Sequence, residues 1–159
     1  MGLKFIVDEN AGKLARWLRL MGYDTRLFSG EDDGQMVKIA LAENRIMLTR
    51  DRQIPRRKPV VTGRARTILL SDDNPWLQLR QVMKVLKLEP QHRPFSICLE
   101  CNEPLLPRER DAVRELVPPY VFQTQTRYMQ CPKCRRIYWQ GTHWEAMTRR
   151  LQTLGDIPG

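Results

Sequence analysis

Lys4-Phe5-Ile6-Val7-Asp8-Glu9-Asn10 is the stretch that decides the fold. Phe5, Ile6 and Val7 make a short apolar run of strand-favouring side chains, and three polar residues end it abruptly. That pattern marks a buried strand reaching its carboxyl edge. In open α/β sheets the ligand crevice lies outside this edge, so Asp8 and Glu9 stand where chemistry usually happens. A sheet of this kind needs further strands, covering helices and partners for the acids.

All three follow in order. Residues 11–21 carry Leu14, Ala15, Leu18 and Met21 at helical spacing, with Lys13, Arg16 and Arg19 near the opposite side and Gly22 as the stop. Residues 23–28 alternate as a second strand, completing a β-α-β unit. The loop of residues 29–34 then delivers Glu31, Asp32 and Asp33 just before a helix over about residues 35–44, where acids suit the helix dipole. Residues 45–49 read as a third strand ending in Arg50 and Asp51. A basic, proline-marked segment, residues 52–66, with Arg56, Arg57 and Lys58 together, is expected to be a loop, either one that grips substrate or one that is only solvated. Residues 67–70 read as a fourth strand that stops at Ser71-Asp72-Asp73, and Asn74-Pro75 opens a helix to about Lys87. Strands alternating with helices predict an α/β domain over residues 1–90, a small parallel sheet covered on both faces. Right-handed crossovers bring Asp8, Asp51 and Asp72 to one edge.

From residue 91 the grammar changes. Six prolines fall between Pro94 and Pro132, helical periods are few, and all four cysteines of the chain are here. Cys98-Leu99-Glu100-Cys101 and Cys131-Pro132-Lys133-Cys134 are two CxxC pairs with 29 residues between them. Two residues between cysteines let both sulfurs of one turn face a single ion, and two such turns complete a closed tetrahedral zinc site. Two disulfides are the alternative in an oxidising compartment. Residues 91–159 therefore read as a zinc ribbon with a strand at Arg136-Ile137-Tyr138-Trp139 and a terminal helix over residues 143–154, turning Trp144, Met147 and Leu151 inward.

Composition narrows the partners. The 159 residues hold 27 Lys and Arg against 18 Asp and Glu, a formal charge of +9, which favours polyanions such as nucleic acid. No long single-sign run exists, so a binding surface has to be assembled by folding. No apolar run is long enough to span a bilayer, and the N-terminus does not resemble a secretory signal. The expectation is a cytoplasmic protein without membrane partners. A Gly-x-Ser-x-Gly elbow, a Walker loop and a Gly-x-Gly-x-x-Gly fingerprint are all absent from the sequence.

Carboxylates gathered at strand ends repel one another unless cations compensate them. Magnesium or manganese suits such a set, being hard ions that favour carboxylate oxygen and water and leave positions for phosphate. At this point the residues resemble a known family. Lys4-Phe5-Ile6-Val7-Asp8-Glu9, Leu14-Ala15-Arg16-Trp17-Leu18-Arg19, Gly22-Tyr23-Asp24 and Leu48-Thr49-Arg50-Asp51 are similar to the Mut-seven C-terminal RNase domain family, a branch of the PIN-like nucleases. That family commonly carries a zinc ribbon after its PIN-like domain, where this chain has its CxxC pairs. The resemblance implies a metal-dependent ribonuclease acting on RNA, with Asp8, Asp51 and the Asp32-Asp33 pair as its acids. Within the pair, Asp33 directly precedes the helix. Asp72 or Asp73 is a candidate fourth carboxylate.

Other residues take supporting expectations. Lys13, Arg16 and Arg50 are candidates for holding phosphates, although basic side chains on a helix are usually its solvated face. Glu9 and Asn10 are candidates for positioning roles, and Trp17 is expected to pack against the sheet. His92 and His143 lack ligand spacing to a cysteine pair that is already complete. Lys133, Arg135, Arg136, Tyr138, Trp139 and Trp144 suit either nucleic-acid contact or the ribbon's small core. The rival reading is a non-catalytic RNA-binding or ribosome-associated adaptor that keeps the acids only as structure.

Overall fold

In the computed structural model, which describes residues 2–155, the opening stretch is strand β1 (Lys4–Asp8), with Phe5, Ile6 and Val7 wholly buried. A 3-10 turn (Glu9–Ala11) leads into α1 (Gly12–Leu20), then β2 (Asp24–Phe28), α2 (Asp33–Glu43) and β3 (Ile46–Thr49). A second 3-10 turn (Ile54–Arg56), the short helix α3 (Lys58–Val61), β4 (Thr67–Leu69) and α4 (Pro75–Leu86) follow. The four strands form one parallel sheet in the order β2-β1-β3-β4. This is the α/β architecture expected. Its chain order reverses direction between β1 and β3, and in open parallel sheets the ligand crevice opens at that switch point.

The starts of α2 and α4 are set by side-chain caps. Asp32 Oδ1 accepts from Gly34 N–H at 2.8 Å, so α2 begins about two residues earlier than the apolar period suggests. Asn74 Oδ1 accepts from Trp76 and Leu77 N–H and opens α4, as expected. Residues 52–66 depart from the expected loop. Ile54 is wholly buried and anchors the 3-10 turn, and prolines sit in the first turns of that element and of α3, where their missing N–H costs nothing. Trp17 meets Trp76 edge-on, with ring centroids 5.1 Å apart.

The amino edge of the sheet is held by charge. The Arg45 guanidinium donates to the Phe5 carbonyl (3.0 Å), to Asp24 Oδ1 (2.8 Å) and to Glu43 Oε1 (2.6 Å), while Arg26 pairs with Glu43 Oε2 at 2.5 Å.

Two compact units make up the chain: residues through Arg19 with Tyr23–Leu88, and Leu20–Gly22 with the residues from Glu89 onward. In the second, Arg93 N–H donates to the Met21 carbonyl at 3.0 Å. Gly22 lies at φ 95°, and a Cβ there would collide with the Arg93 carbonyl. β5 (Leu106–Arg108), β6 (Tyr128–Gln130) and β7 (Ile137–Tyr138) form an antiparallel sheet in the order β5-β6-β7. Helical structure is richer here than the prolines suggest. Residues 110–113 form a 3-10 turn and Pro119–Thr124 forms α5, both inserted between β5 and β6. Val113, Val117 and Val121 bury themselves against Tyr128, whose hydroxyl donates toward the Val121 and Gln125 carbonyls. The terminal helix α6 (Thr142–Gly155) buries Trp144 and Leu151, with Trp144 edge-on to Phe95 at 5.2 Å.

Candidate active site and cysteine centre

The carboxyl ends of β1, β3 and β4 converge as the topology requires. Asp8, Asn10, Arg50, Asp51, Asp73 and Gln78 line one cleft of about 370 Å³. Asp8 and Asp51 flank the switch point, because Val7 pairs with Leu48 in the register of β1 and β3. Each acid also does local work. Asp8 Oδ1 accepts from Asn10 N–H at 3.0 Å and Asp51 Oδ1 from Gln53 N–H at 2.8 Å, so each orders the turn that follows its strand. Thr49, itself buried, accepts from Asp51 N–H at 3.0 Å and fixes the strand end.

The two acids before α2 have separate fates. Asp32 caps the helix, whereas the Asp33 carboxyl is hydrogen-bonded to that of Asp51. That bond holds the Asp33 pKa above the ordinary carboxylate value, with burial and the Asp51 charge adding to it. The same bond pulls Asp51 below that value, helped by the Gln53 N–H and the Arg57 charge. Arg57 acts electrostatically on both acids, and its guanidinium reaches within 3.6 Å of where a Gly34 Cβ would stand. Of the three adjacent cations in the basic segment, Arg57 is the one whose charge acts on both acids.

Of the basic residues singled out by sequence, Arg50 lines the cleft, while Lys13 and Arg16 are exposed on α1. Asn10 lines the cleft as well. Gln78 is the wall residue that sequence reasoning overlooked. It is 2% exposed, its Nε2 donates to the Asp72 carbonyl at 2.8 Å, and its Oε1 has no hydrogen-bond partner. Asp72 Oδ1 accepts from Asn74 N–H, leaving Asp73 as the acid of that loop that faces the cleft.

This donor set is all oxygen and mostly anionic, the chemistry a hard divalent cation requires. The acids are spaced more loosely than a closed ligand shell. Among the described residues, only the four cysteines place three or more candidate ligand atoms within 4.8 Å of one another.

None of those cysteines is in a disulfide. Both CxxC turns fold alike: Asn102 N–H donates to the Cys98 carbonyl and Arg135 N–H to the Cys131 carbonyl, each at 2.9 Å. Asn102 and Arg135 both take left-handed conformations, φ 63° and 69°. The Cys98 and Cys134 sulfurs are 3.7 Å apart. Zinc–sulfur bonds of about 2.3 Å give a tetrahedral edge of about 3.8 Å, so the cluster is of a size that could bind a metal such as zinc. The Tyr138 hydroxyl lies 3.1 Å from Cys98 Sγ and accepts from Leu99 N–H at 3.1 Å. Burial pushes the Cys98 thiol up, but the hydrogen bonds from Tyr138 and the neighbouring cysteines outweigh it and leave its pKa lowered.

No curated protein and no solved structure matches the sequence. Residues 3–151, a span that takes in both units, match the Mut7-C RNAse domain, and the chain belongs to that family.

Proposed function

We propose that this protein is a PIN-like ribonuclease that hydrolyses RNA phosphodiester bonds with magnesium or manganese at the β1/β3 switch point. The observation that carries the reading is the sharing of one cleft by Asp8, Asp51, Asp73 and Arg50, with Asp33 hydrogen-bonded to Asp51 at its side. Asp8, Asp33 and Asp51 would hold the cation, and Asp32 serves as the helix cap. When bound, the ion supplies positive charge for a phosphate and a water nucleophile, so no covalent enzyme intermediate is required.

The chain's own groups prepare the site. Asp51, kept ionised by its hydrogen bonds, is a standing acceptor. Asp33, through its bond to Asp51, retains its proton more readily than an ordinary carboxylate, and a cation held here would favour its ionised form. Arg50 and Arg57 offset the negative charge and suit phosphate oxygens. The four cysteines would hold a structural zinc ion, separate in ligand chemistry from the oxygen site. RNA is the partner proposed, and the cytoplasm the compartment. No helix among the described residues is long and apolar enough to cross a membrane.

The test uses purified protein and labelled single-stranded and hairpin RNAs, with manganese, magnesium or neither, repeated with Asp8→Asn. Cleavage that needs a divalent ion and falls at least 100-fold in the variant, at an unchanged melting temperature, is expected. Asn retains an oxygen for the Asn10 N–H, so folding is spared. Binding without cleavage under every condition would leave the adaptor reading in place.

A further inference from the structure

The second unit holds a cavity of its own. Gln91, Gln125, Arg127, Gln140, Trp144 and Glu145 are among the residues lining about 370 Å³, at the small end of the roughly 300–1,000 Å³ usual for small-molecule sites. They come from four separate segments: the stretch before Phe95, the link from α5 to β6, the residues before α6, and α6 itself. Among the described residues, Glu145 is the cavity's one acid, and neither a histidine nor a cysteine lines it. Its chemistry is therefore that of recognition.

Two of the walls are braced by one residue. Phe95 is buried and adopts a left-handed φ of 64°. Its ring meets Trp144 edge-on at 5.2 Å, and the Arg127 guanidinium carbon lies 5.0 Å from its centroid. A bulky side chain rarely takes that backbone conformation, which persists only where its surroundings impose it. Here the Ser96 hydroxyl donates to the Arg93 carbonyl, and Leu105 N–H donates to the Ser96 carbonyl at 2.9 Å. Arg127 is thereby held by an aromatic face, and its charge stays available.

What the cavity leaves unpaired defines its ligand. Among the described residues, Arg127 and Glu145 form no ion pair, and the amide groups of Gln91, Gln125 and Gln140 have no hydrogen-bond partner. Both charged side chains are exposed. One cation set beside one anion suits a neutral group with acceptors on one edge and donors on another. Unstacked bases of single-stranded RNA are read in this way, on their Watson–Crick and Hoogsteen edges. Guanine alone offers two adjacent acceptors, O6 and N7, to an arginine fork and two adjacent donors, N1–H and N2–H, to a carboxylate. Adenine and cytosine would turn a ring acceptor toward the carboxylate, and uracil has one donor between two carbonyls. We propose that this cavity binds an unstacked guanine of single-stranded RNA, with Arg127 donating to O6 and N7 and Glu145 accepting from N1–H and N2–H. The inference rests on the reading of RNA as substrate and gives that substrate a preferred base.

The experiment measures binding, by fluorescence anisotropy without added magnesium or manganese, of a labelled uridine heptamer and of the same strand with one central guanosine, adenosine, cytidine, inosine or 7-deazaguanosine. Inosine lacks the 2-amino donor, and 7-deazaguanosine lacks the N7 acceptor. Wild-type protein is expected to bind the guanosine strand about tenfold more tightly than the uridine, adenosine and cytidine strands, and to lose about threefold or more with each analogue. Glu145→Ala is expected to bind the guanosine and inosine strands alike, and Arg127→Met the guanosine and 7-deazaguanosine strands alike. Guanosine bound no more tightly than the other bases, analogues bound as well as guanosine, or a preference that survives both substitutions overturns the proposal. Should a variant fail to fold, the analogue series on wild type decides the matter. Cleavage in manganese is scored separately. Cleavage without a guanine preference in binding sinks this inference alone, whereas guanine-selective binding with no cleavage sinks the nuclease reading and leaves the base pocket standing.

Discussion

The Asp33 and Asp51 carboxyls are hydrogen-bonded to each other, with Asp33 holding its proton above the usual carboxylate value of 3.8 and Asp51 releasing its own below it. The two shifts have opposite consequences for stability. Asp51, lowered, contributes stability that is present above 3.8 and is lost as pH falls through its folded value. Asp33, raised, contributes stability that is present below 3.8 and is lost as pH rises through its folded value. The pair is therefore most favourable with one proton. With both protons lost, the two carboxylates repel unless a cation offsets them.

Asp33→Asn keeps a donor for Asp51 and removes a charge, so it is predicted to raise the melting temperature at pH 7 without divalent metal. Solvent screening limits the rise to about one or two degrees. The advantage should vanish near pH 4, and the stabilisation of wild type by added manganese should disappear in the variant. Thermal melts over pH 4–8 measure all three, and a lowered melting temperature at pH 7 would contradict the shared-proton account.

Arg50 and Lys13, both candidates for phosphate contact, stand in different places. Arg50 lines the cleft with Asp8 and Asp51, while Lys13 is exposed on α1. Arg50→Gln is predicted to weaken RNA binding about tenfold and to reduce the slope of log affinity against log salt by about one. Lys13→Gln should change affinity less than about twofold. Equal effects from the two would remove Arg50 from the cleft's machinery.

The parts of the site legible in sequence are those that need only periodicity and strand ends. Asp8 and Asp51 could be placed because an apolar run gives way to polar residues at both β1 and β3. Choosing between Asp32 and Asp33 could not be done that way, since it turns on which carboxylate caps the helix, a difference of one residue at a boundary. Arg57 could not be singled out from Arg56 and Lys58 by composition; in the structure Ile54 beside it is wholly buried and the Arg57 charge acts on Asp33 and Asp51. Gln78 did leave a signal. It stands four residues before buried Val82 and next to Leu79, a polar residue on the inward side of an otherwise apolar helix face. The cysteine cluster was legible from spacing alone, whereas the contact of Tyr138 with Cys98 depends on how β7 returns past the first CxxC turn.

That contact carries its own prediction. Native mass spectrometry should find one zinc ion per chain, and Cys131→Ser should abolish it, because three ligands no longer close the shell. Tyr138→Phe removes the hydroxyl beside Cys98 Sγ and the acceptor for Leu99 N–H. Loss of such an outer-shell partner typically weakens metal binding by about 10-fold to 100-fold. Competition with a chromophoric chelator measures it, and unchanged affinity would make Tyr138 a packing residue only.

At the amino edge of the sheet, Arg45 tests whether stability and the proposed chemistry are separable. Its side chain is 9% exposed and bonds to the Phe5 carbonyl, Asp24 and Glu43, so Arg45→Met leaves two carboxylates and a strand carbonyl without their shared donor. Removing the buried hub of a network whose acids are partly exposed costs more than any single bond within it, here about 2–3 kcal/mol. The melting temperature should fall by about 6 °C or more. Glu43→Gln should cost less, since Asp24 still pairs with the guanidinium. Because Phe5, Asp24 and Ile46 lie where the strands begin and the acids lie where they end, cleavage per folded molecule at low temperature should be unchanged in both variants. A loss of activity larger than the loss of folded protein would mean that the amino edge helps to position the acids across the sheet.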